Sequence, residues 1–151
     1  MSTCAAVRSA WQTYVFDQTS IQTITDKTLN YDVVLASTKE IADIRFEQEI
    51  NAFVYLVNKN VTRRMMGQIT EEFIVTVKYY READPKGQNY NTVIDAQETV
   101  YDVVLTTLGP TWQNTVDYFL TEDSSIDVSQ QTIDGRAVWV SSYRFSGFKN
   151  S

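Results

Sequence analysis

The stretch DVSQQTIDGRAVWVSSYRF, residues 127–145, decides the fold class. Two alternating runs flank Asp134-Gly135, a pair typical of a two-residue β-hairpin turn, because a type I′ turn needs positive φ at both central residues. Pairing the runs about this turn predicts three cross-strand neighbours: Val128 with Ser141, Gln130 with Trp139, and Thr132 with Ala137. The chain therefore closes on a β-hairpin with a fixed register.

The second run of this hairpin carries Trp139, Tyr143 and Phe145 on one face. An alternating aromatic face needs another layer to pack against, so we interpret these residues as core rather than as a ligand-binding box. The apolar stripe of the long predicted helix described below is the matching layer. We expect the hairpin and that helix to pack on each other.

Two further segments read as strands, NAFVYLV at 51–57 and TEEFIVTVKYY at 70–80. In the second segment every other residue is apolar and the residues between are mostly polar, which is typical of a half-buried antiparallel strand. The predicted buried face consists of Phe73, Val75, Val77 and Tyr79.

Helical spacing appears in three places. Residues 3–16 predict an amphipathic helix, which Ser2-Thr3 can cap. A broad apolar stripe predicts a long helix from a cap at Asn91 to Gly109, and residues 111–120 predict a second, shorter one. Residues 17–32 are polar with short β-like pieces such as IQTIT. Residues 36–49 fit neither the helical period nor the strand period.

The sequence thus predicts a single α+β domain over residues 1–151, with an antiparallel or mixed sheet, an N-terminal helix, a long and a short helix, and a C-terminal β-hairpin.

Composition limits the function classes. The chain has 151 residues, 43% of them hydrophobic, and 19 acidic against 13 basic residues give a net charge of −6. Such a balance argues against wrapping nucleic acid with a basic face, although a protein that DNA slides past without sticking would also be acidic. Cys4 is the single cysteine, so no internal disulfide can form. No run approaches 18 apolar residues and the start does not resemble a secretion signal, so we expect a cytoplasmic protein, in the host cytoplasm if it is viral.

Catalytic chemistry has few candidates. The chain contains no histidine, the commonest general base and zinc ligand, and no glycine-rich phosphate loop. Asp95 and Glu98 lie i,i+3 on a predicted helix and could hold a hard cation, but their position beside the apolar stripe favours a solvated face. Glu71 and Glu72 point to opposite faces of a strand. We expect no enzymatic activity, no cofactor and no metal.

The strongest candidate for an interaction site lies between the two predicted strands, in NKNVTRRMMGQI. This segment has no clean periodicity and reads as a connecting loop. Methionines adapt to irregular binding surfaces and arginines are enriched in interfaces. The alternative is a connector whose methionines only fill the core, and the sequence leaves both open. The candidate assembly interface consists of Lys59, Arg63, Arg64, Met65 and Met66.

The order of elements resembles that of a known family. An N-terminal helix precedes a long strand, EEFIVTVKYY, then the helical stretch DAQETVYDVVLTTLGPTWQNTVDYF, and finally the hairpin GRAVWVSSYRFSGF. Together, over residues 3–147, these resemble the tail terminator proteins of long-tailed bacteriophages. The resemblance lies in element order and pattern, without a short invariant motif.

The resemblance implies a structural virion protein of the phage neck, an α+β subunit that caps the tail tube as a hexameric ring. Its implied partners are further copies of itself, the tail tube protein and a head-side connector or stopper protein, with DNA passing transiently through the lumen. Another tube or neck component, or a small α+β module that binds a partner or a ligand, is the alternative. An enzyme that uses carboxylates and a metal is a third reading.

Overall fold

The computed structural model describes residues 3–24, 51–65, 68–86, 88–107, 118–121, 126–133 and 135–150. They form an α+β fold, as the sequence predicts. The helices are α1 (Cys4–Trp11), which continues as a π-helix (Gln12–Phe16), α2 (Thr19–Gln22) and α3 (Tyr90–Thr107). The strands are β1 (Asn51–Met65), β2 (Gln68–Glu82), β3 (Tyr118–Thr121), β4 (Asp127–Ile133) and β5 (Arg136–Asn150).

The N-terminal helix begins where its cap predicts. Thr3 has extended backbone geometry, and its side chain accepts a hydrogen bond from the amide of Ala6 at 3.1 Å. The helix ends in a wider turn, in which the amide of Asp17 donates to the carbonyl of Gln12 at 2.8 Å. Two consecutive side chains of this turn, Val15 and Phe16, are both buried, and the ring of Phe16 stacks on that of Tyr55 of β1 at 4.5 Å.

The five described strands form one antiparallel sheet. Its order is β1-β2-β5-β3, and β4 also pairs with β5. β1 and β2 form a hairpin of two strands of 15 residues each. The predicted alternation in β2 is confirmed, since all four apolar residues of its predicted inner face are fully buried.

The terminal hairpin has the predicted register. Its closing pair is Ile133 with Arg136, so the turn has two residues, and Gly135 has a φ of 74°. Asp134 lies outside the described residues. The three predicted cross-strand pairs all occur: Val128–Ser141, Gln130–Trp139 and Thr132–Ala137.

The helices cover one face of the sheet, and aromatic rings fill the space between. Trp11 of α1 lies 5.2 Å from Phe145, centroid to centroid, and Phe145 is fully buried. The predicted packing of the terminal hairpin on the long helix is also found. Tyr101 of α3 meets Tyr143 of β5 edge to face at 6.1 Å, and Tyr90 meets Trp139 in the same way at 5.3 Å.

Two local predictions near helix ends were wrong. α3 begins at Tyr90 rather than after a cap at Asn91, and the amide of Thr92 donates to the carbonyl of Asn89 at 3.1 Å. The segment IQTIT was expected to be β-like, but its first two residues are the last two of a short helix, α2. Burial of Ile21 in the core outweighs the β-propensity of isoleucine.

The prediction of a short helix over residues 111–120 was wrong at its C-terminal end. Residues 118–121 form β3, which pairs with β5 from Phe145 to Phe148. The sequence YFLT favours a strand when an unpaired strand edge is available, and β5 offers one there. Residues 111–117, residues 36–49 and Gly109 lie outside the described residues.

Candidate assembly interface

The segment predicted as a loop between β1 and β2 is instead mostly strand. β1 continues to Met65 and β2 begins at Gln68. The pairing register shifts between Val61 and Arg63, which is the signature of a β-bulge. An extra residue at a bulge breaks the period of two, so the sequence of this part of the hairpin shows no alternation.

The end of this hairpin extends past its neighbour. The last pair between β2 and β5 is Thr70 with Asn150, whereas β1 and β2 still pair at Arg64–Ile69 and Met65–Gln68. Arg63, Arg64 and Met65 are therefore consecutive strand residues at the end of the hairpin. Met66, the last member of the candidate interface, lies outside the described residues.

Lys59 has a different place from the other candidate residues. Its Nζ lies 3.4 Å from Oε2 of Glu71, and it also sits 5.5 Å above the ring of Phe73. The Lys59 side chain is only 23% exposed. It therefore stabilises the monomer at the rim of the core, and its charge is already matched within the chain.

Glu71 is a buried carboxylate. The sequence predicted only that its side chain and that of Glu72 point to opposite faces of the strand. The Glu71 side chain is fully buried, and neither carboxylate oxygen accepts a hydrogen bond. Burying a charge is costly unless an opposite charge lies beside it, which makes Lys59 its necessary counterion. One signal in the sequence was available, since Glu71 is in phase with Phe73 and the rest of the buried row. Glu72 points to the other face, as predicted, and is partly exposed.

The described sheet has open edges on both sides. β1 pairs with β2 only, and β3 and β4 share the far side of β5 without a further described neighbour. Unpaired strand edges present backbone N–H and C=O groups that can pair with another chain.

A cavity of about 340 Å³ opens between α3, β2 and the end of α2. One of its walls is held by two hydrogen bonds, from the Tyr79 hydroxyl to Asn51 Oδ1 at 2.5 Å and from Asn51 Nδ2 to the Ile24 carbonyl at 2.9 Å. No sequence pattern indicated this cavity, because its walls come from segments far apart in the chain. Its lining consists of Ile24, Tyr79, Arg81, Thr92, Asp95, Ala96 and Thr99.

The other candidates fall where the sequence places them. Asp95 and Glu98 are exposed on α3, as expected for a solvated face, and Cys4 is half-buried. Phe145 is buried, while Trp139 and Tyr143 are half-buried against the core. In the part of the chain that the structure describes, no group of three histidine, cysteine, aspartate or glutamate residues is placed to hold a metal ion. No described helix is both long and apolar enough to cross a membrane.

No family model matches the chain, and no curated protein matches it either. The likeness to tail terminators therefore rests on the order of elements and on the residue patterns within them.

Proposed function

We propose that this chain is a structural protein of a bacteriophage neck. It caps the tail tube as a hexameric ring, ends tube growth and joins the tail to the head, with a lumen through which DNA passes. Its partners are further copies of itself, the tail tube protein and a head-side connector or stopper protein. It belongs in the virion, after assembly in the host cytoplasm. The proposal needs no catalytic step and no cofactor.

The observation that carries this proposal is the β1–β2 hairpin with the open sheet around it. The hairpin projects past β5, and the described sheet has an open edge at β1 and another beyond β5. A ring closes through heterologous contacts, in which one surface of a subunit meets a different surface of the next. A sheet with two different open edges and a projecting hairpin offers such unlike surfaces.

Two further features support the same function. The order of an N-terminal helix, a long strand, a long helix and a closing hairpin agrees with the order on which the resemblance to tail terminators is based. The net charge of −6 suits a lumen that must let DNA pass without binding it, since phosphates are repelled by carboxylates.

Mass and shape in solution test the proposal. Light scattering coupled to gel filtration should give a concentration-dependent species of six chains, each of 17.3 kDa, and negative-stain images should show rings. Addition of purified tail tubes should place the rings at tube ends and stop their elongation. A chain that remains monomeric at every concentration, both alone and with tubes, would contradict the proposal.

The cavity beside α3 favours a second candidate, a small α+β module that binds a ligand or a partner. Its volume of about 340 Å³ lies at the lower end of the range for small-molecule sites. A stable monomer that is protected from heat by a small polar ligand would support this function instead of the ring.

A further inference from the structure

The cavity of about 340 Å³ carries charges of opposite sign on two of its walls. Arg81 contributes the positive charge from β2, and Asp95 contributes the negative charge from α3. The two residues are not joined by an ion pair, because within the described part of the chain the side chain of Asp95 makes neither an ion pair nor a hydrogen bond. Both charges therefore line a shared space without meeting in it.

Regular secondary structure fixes both charged walls. Arg81 lies two residues after Tyr79 in β2, so the two side chains point to the same face of the sheet. Arg81 is partly buried whereas Asp95 is exposed, so the carboxylate lies nearer to the solvent. The four lining residues of α3 are spaced by three and four positions and share one side of the helix: Thr92, Asp95, Ala96 and Thr99.

The rest of the lining is mixed in polarity. Thr92 and Thr99 supply hydroxyl groups, and the Thr99 hydroxyl donates to a carbonyl of its own helix at 2.9 Å while its oxygen can still accept. Ile24, Ala96 and the ring of Tyr79 supply apolar surface. A few placed polar groups between apolar walls are typical of small-molecule sites, and a volume at the lower end of their range favours a small ligand.

We infer that this cavity binds a free α-amino acid in its zwitterionic form. The carboxylate of the ligand pairs with the guanidinium of Arg81, its ammonium group pairs with Asp95, and its side chain lies against the apolar part of the lining. A ligand with a single charge would match only one of the two charged walls. The inference rests on the second candidate function, the small α+β module, and names the class of its ligand.

The chemistry of the two side chains suits the two ends of an amino acid. A guanidinium has five N–H donors in a planar fork that matches the two oxygens of a carboxylate, so Arg81 can hold a ligand in addition to contacts within its own chain. The ionised carboxylate of Asp95 only accepts hydrogen bonds, and an ammonium group only donates them. Together the two walls distinguish an amino acid from a plain acid or a plain amine.

Ligand screening tests the inference first. Thermal unfolding of the full chain is measured with each common amino acid in turn, at millimolar concentration. At least one amino acid with an apolar side chain should raise the melting temperature, because a ligand that binds the folded state stabilises it. Calorimetry then compares that amino acid with the carboxylic acid that lacks its amino group and with the amine that lacks its carboxyl group. Each of these analogues should bind at least about tenfold more weakly than the amino acid.

Two variants on α3 test the ammonium contact. Asp95→Asn removes the charge and keeps the shape of the side chain, so the amino acid should bind at least about tenfold more weakly. The analogue without an amino group should bind this variant at least as well as it binds the wild type. Glu98→Gln is the matched control, because Glu98 is exposed on the same helix and does not line the cavity. This control should bind the amino acid like the wild type.

The carboxylate contact is tested with the other analogue. Arg81→Gln should weaken binding of the amino acid by at least about tenfold, whereas the amine should bind at least as well as before. Lys86→Gln, in the exposed turn after β2, is the control. Thermal unfolding without ligand checks that each variant folds. If Arg81→Gln does not fold, Arg81→Lys replaces it, and binding should still weaken because lysine lacks the planar fork.

Each result separates the proposals from one another. Binding of an amino acid that Asp95→Asn weakens selectively supports the site. The inference is overturned if no amino acid raises the melting temperature, or if Asp95→Asn leaves the affinity unchanged. Protection by a single-charge analogue alone also overturns this ligand class, but it keeps the second candidate function. Light scattering of the same chain tests the ring independently, since a ring that binds no amino acid keeps the neck function and a monomer that binds one keeps the site.

Discussion

The ammonium group of Lys59 lies 3.4 Å from the carboxylate of Glu71, which is fully buried and accepts no hydrogen bond. The two residues lie on adjacent strands, on the face of the sheet that packs against the helices. Removal of one partner from a buried ion pair leaves an uncompensated charge in the interior, whereas removal of both can be nearly neutral.

The first prediction follows from this pair. Lys59→Met should lower the free energy of unfolding by about 3 kcal/mol, at the lower end of the range for buried pairs, because Lys59 is 23% exposed. The double variant Lys59→Met with Glu71→Leu should recover most of this loss. Urea unfolding measures both, with Lys86→Met at an exposed position as the control. Equal stability of the Lys59 and Lys86 variants would show that the pair contributes nothing.

The second prediction compares two aromatic residues of the terminal hairpin. Phe145 is fully buried and lies 5.2 Å from Trp11, so Phe145→Ala should cost about 3–5 kcal/mol. Trp139 is only half-buried, with Tyr90 at its edge, so Trp139→Ala should cost less than Phe145→Ala. Denaturant titration of the two variants measures the difference. A larger loss of stability for Trp139→Ala than for Phe145→Ala would mean that the indole ring is more deeply buried than the structure shows.

The third prediction concerns the turn between β4 and β5. Gly135 has a φ of 74°, and a Cβ added there would meet nothing within 4 Å, so a side chain costs backbone strain alone. Gly135→Val should lower stability by about 1–2 kcal/mol, because a β-branched residue resists positive φ. Gly135→Asn is the matched control and should cost less, since asparagine tolerates this conformation. Amide exchange in β4 and β5 reports the effect, and equal protection in the two variants would rule out a strained turn.

The sequence predicted the parts of this fold that local signals determine. Asp134-Gly135 and the alternation beside it predict the register of the terminal hairpin, and the apolar stripe predicts α3. The end of the β1–β2 hairpin was missed because the bulge after Val61 interrupts the alternation. β3 was missed because its strand depends on pairing with β5, which comes later in the chain.

The candidate site was only partly predictable, for a related reason. Arginines and methionines mark the hairpin as unusual in sequence, but the pairing of Lys59 with Glu71 appears only once β1 and β2 are in register. The cavity depends on the meeting of α2, α3 and β2. One of its walls depends on the bond between Asn51 and Tyr79, which are 28 residues apart. No local pattern carries such information.

The last prediction concerns two polar residues buried between α3 and the sheet. Gln97 donates hydrogen bonds to the carbonyls of Val77 at 2.9 Å and Ser141 at 3.2 Å, while the hydroxyl of Ser141 is buried and makes no hydrogen bond. Gln97→Ala should lower the free energy of unfolding by about 2–4 kcal/mol, because it removes both bonds and leaves a cavity.

Ser141→Ala should change the stability by less than about 0.5 kcal/mol, or raise it, because it removes a buried polar group that has no partner. Urea unfolding of the two single variants and of the double variant measures these effects, and the double variant should resemble Gln97→Ala. A loss of more than about 1 kcal/mol for Ser141→Ala would contradict the prediction. It would mean that the hydroxyl bonds to a buried water shared with the carbonyl oxygen of the Gln97 side chain, which is also buried without a hydrogen bond.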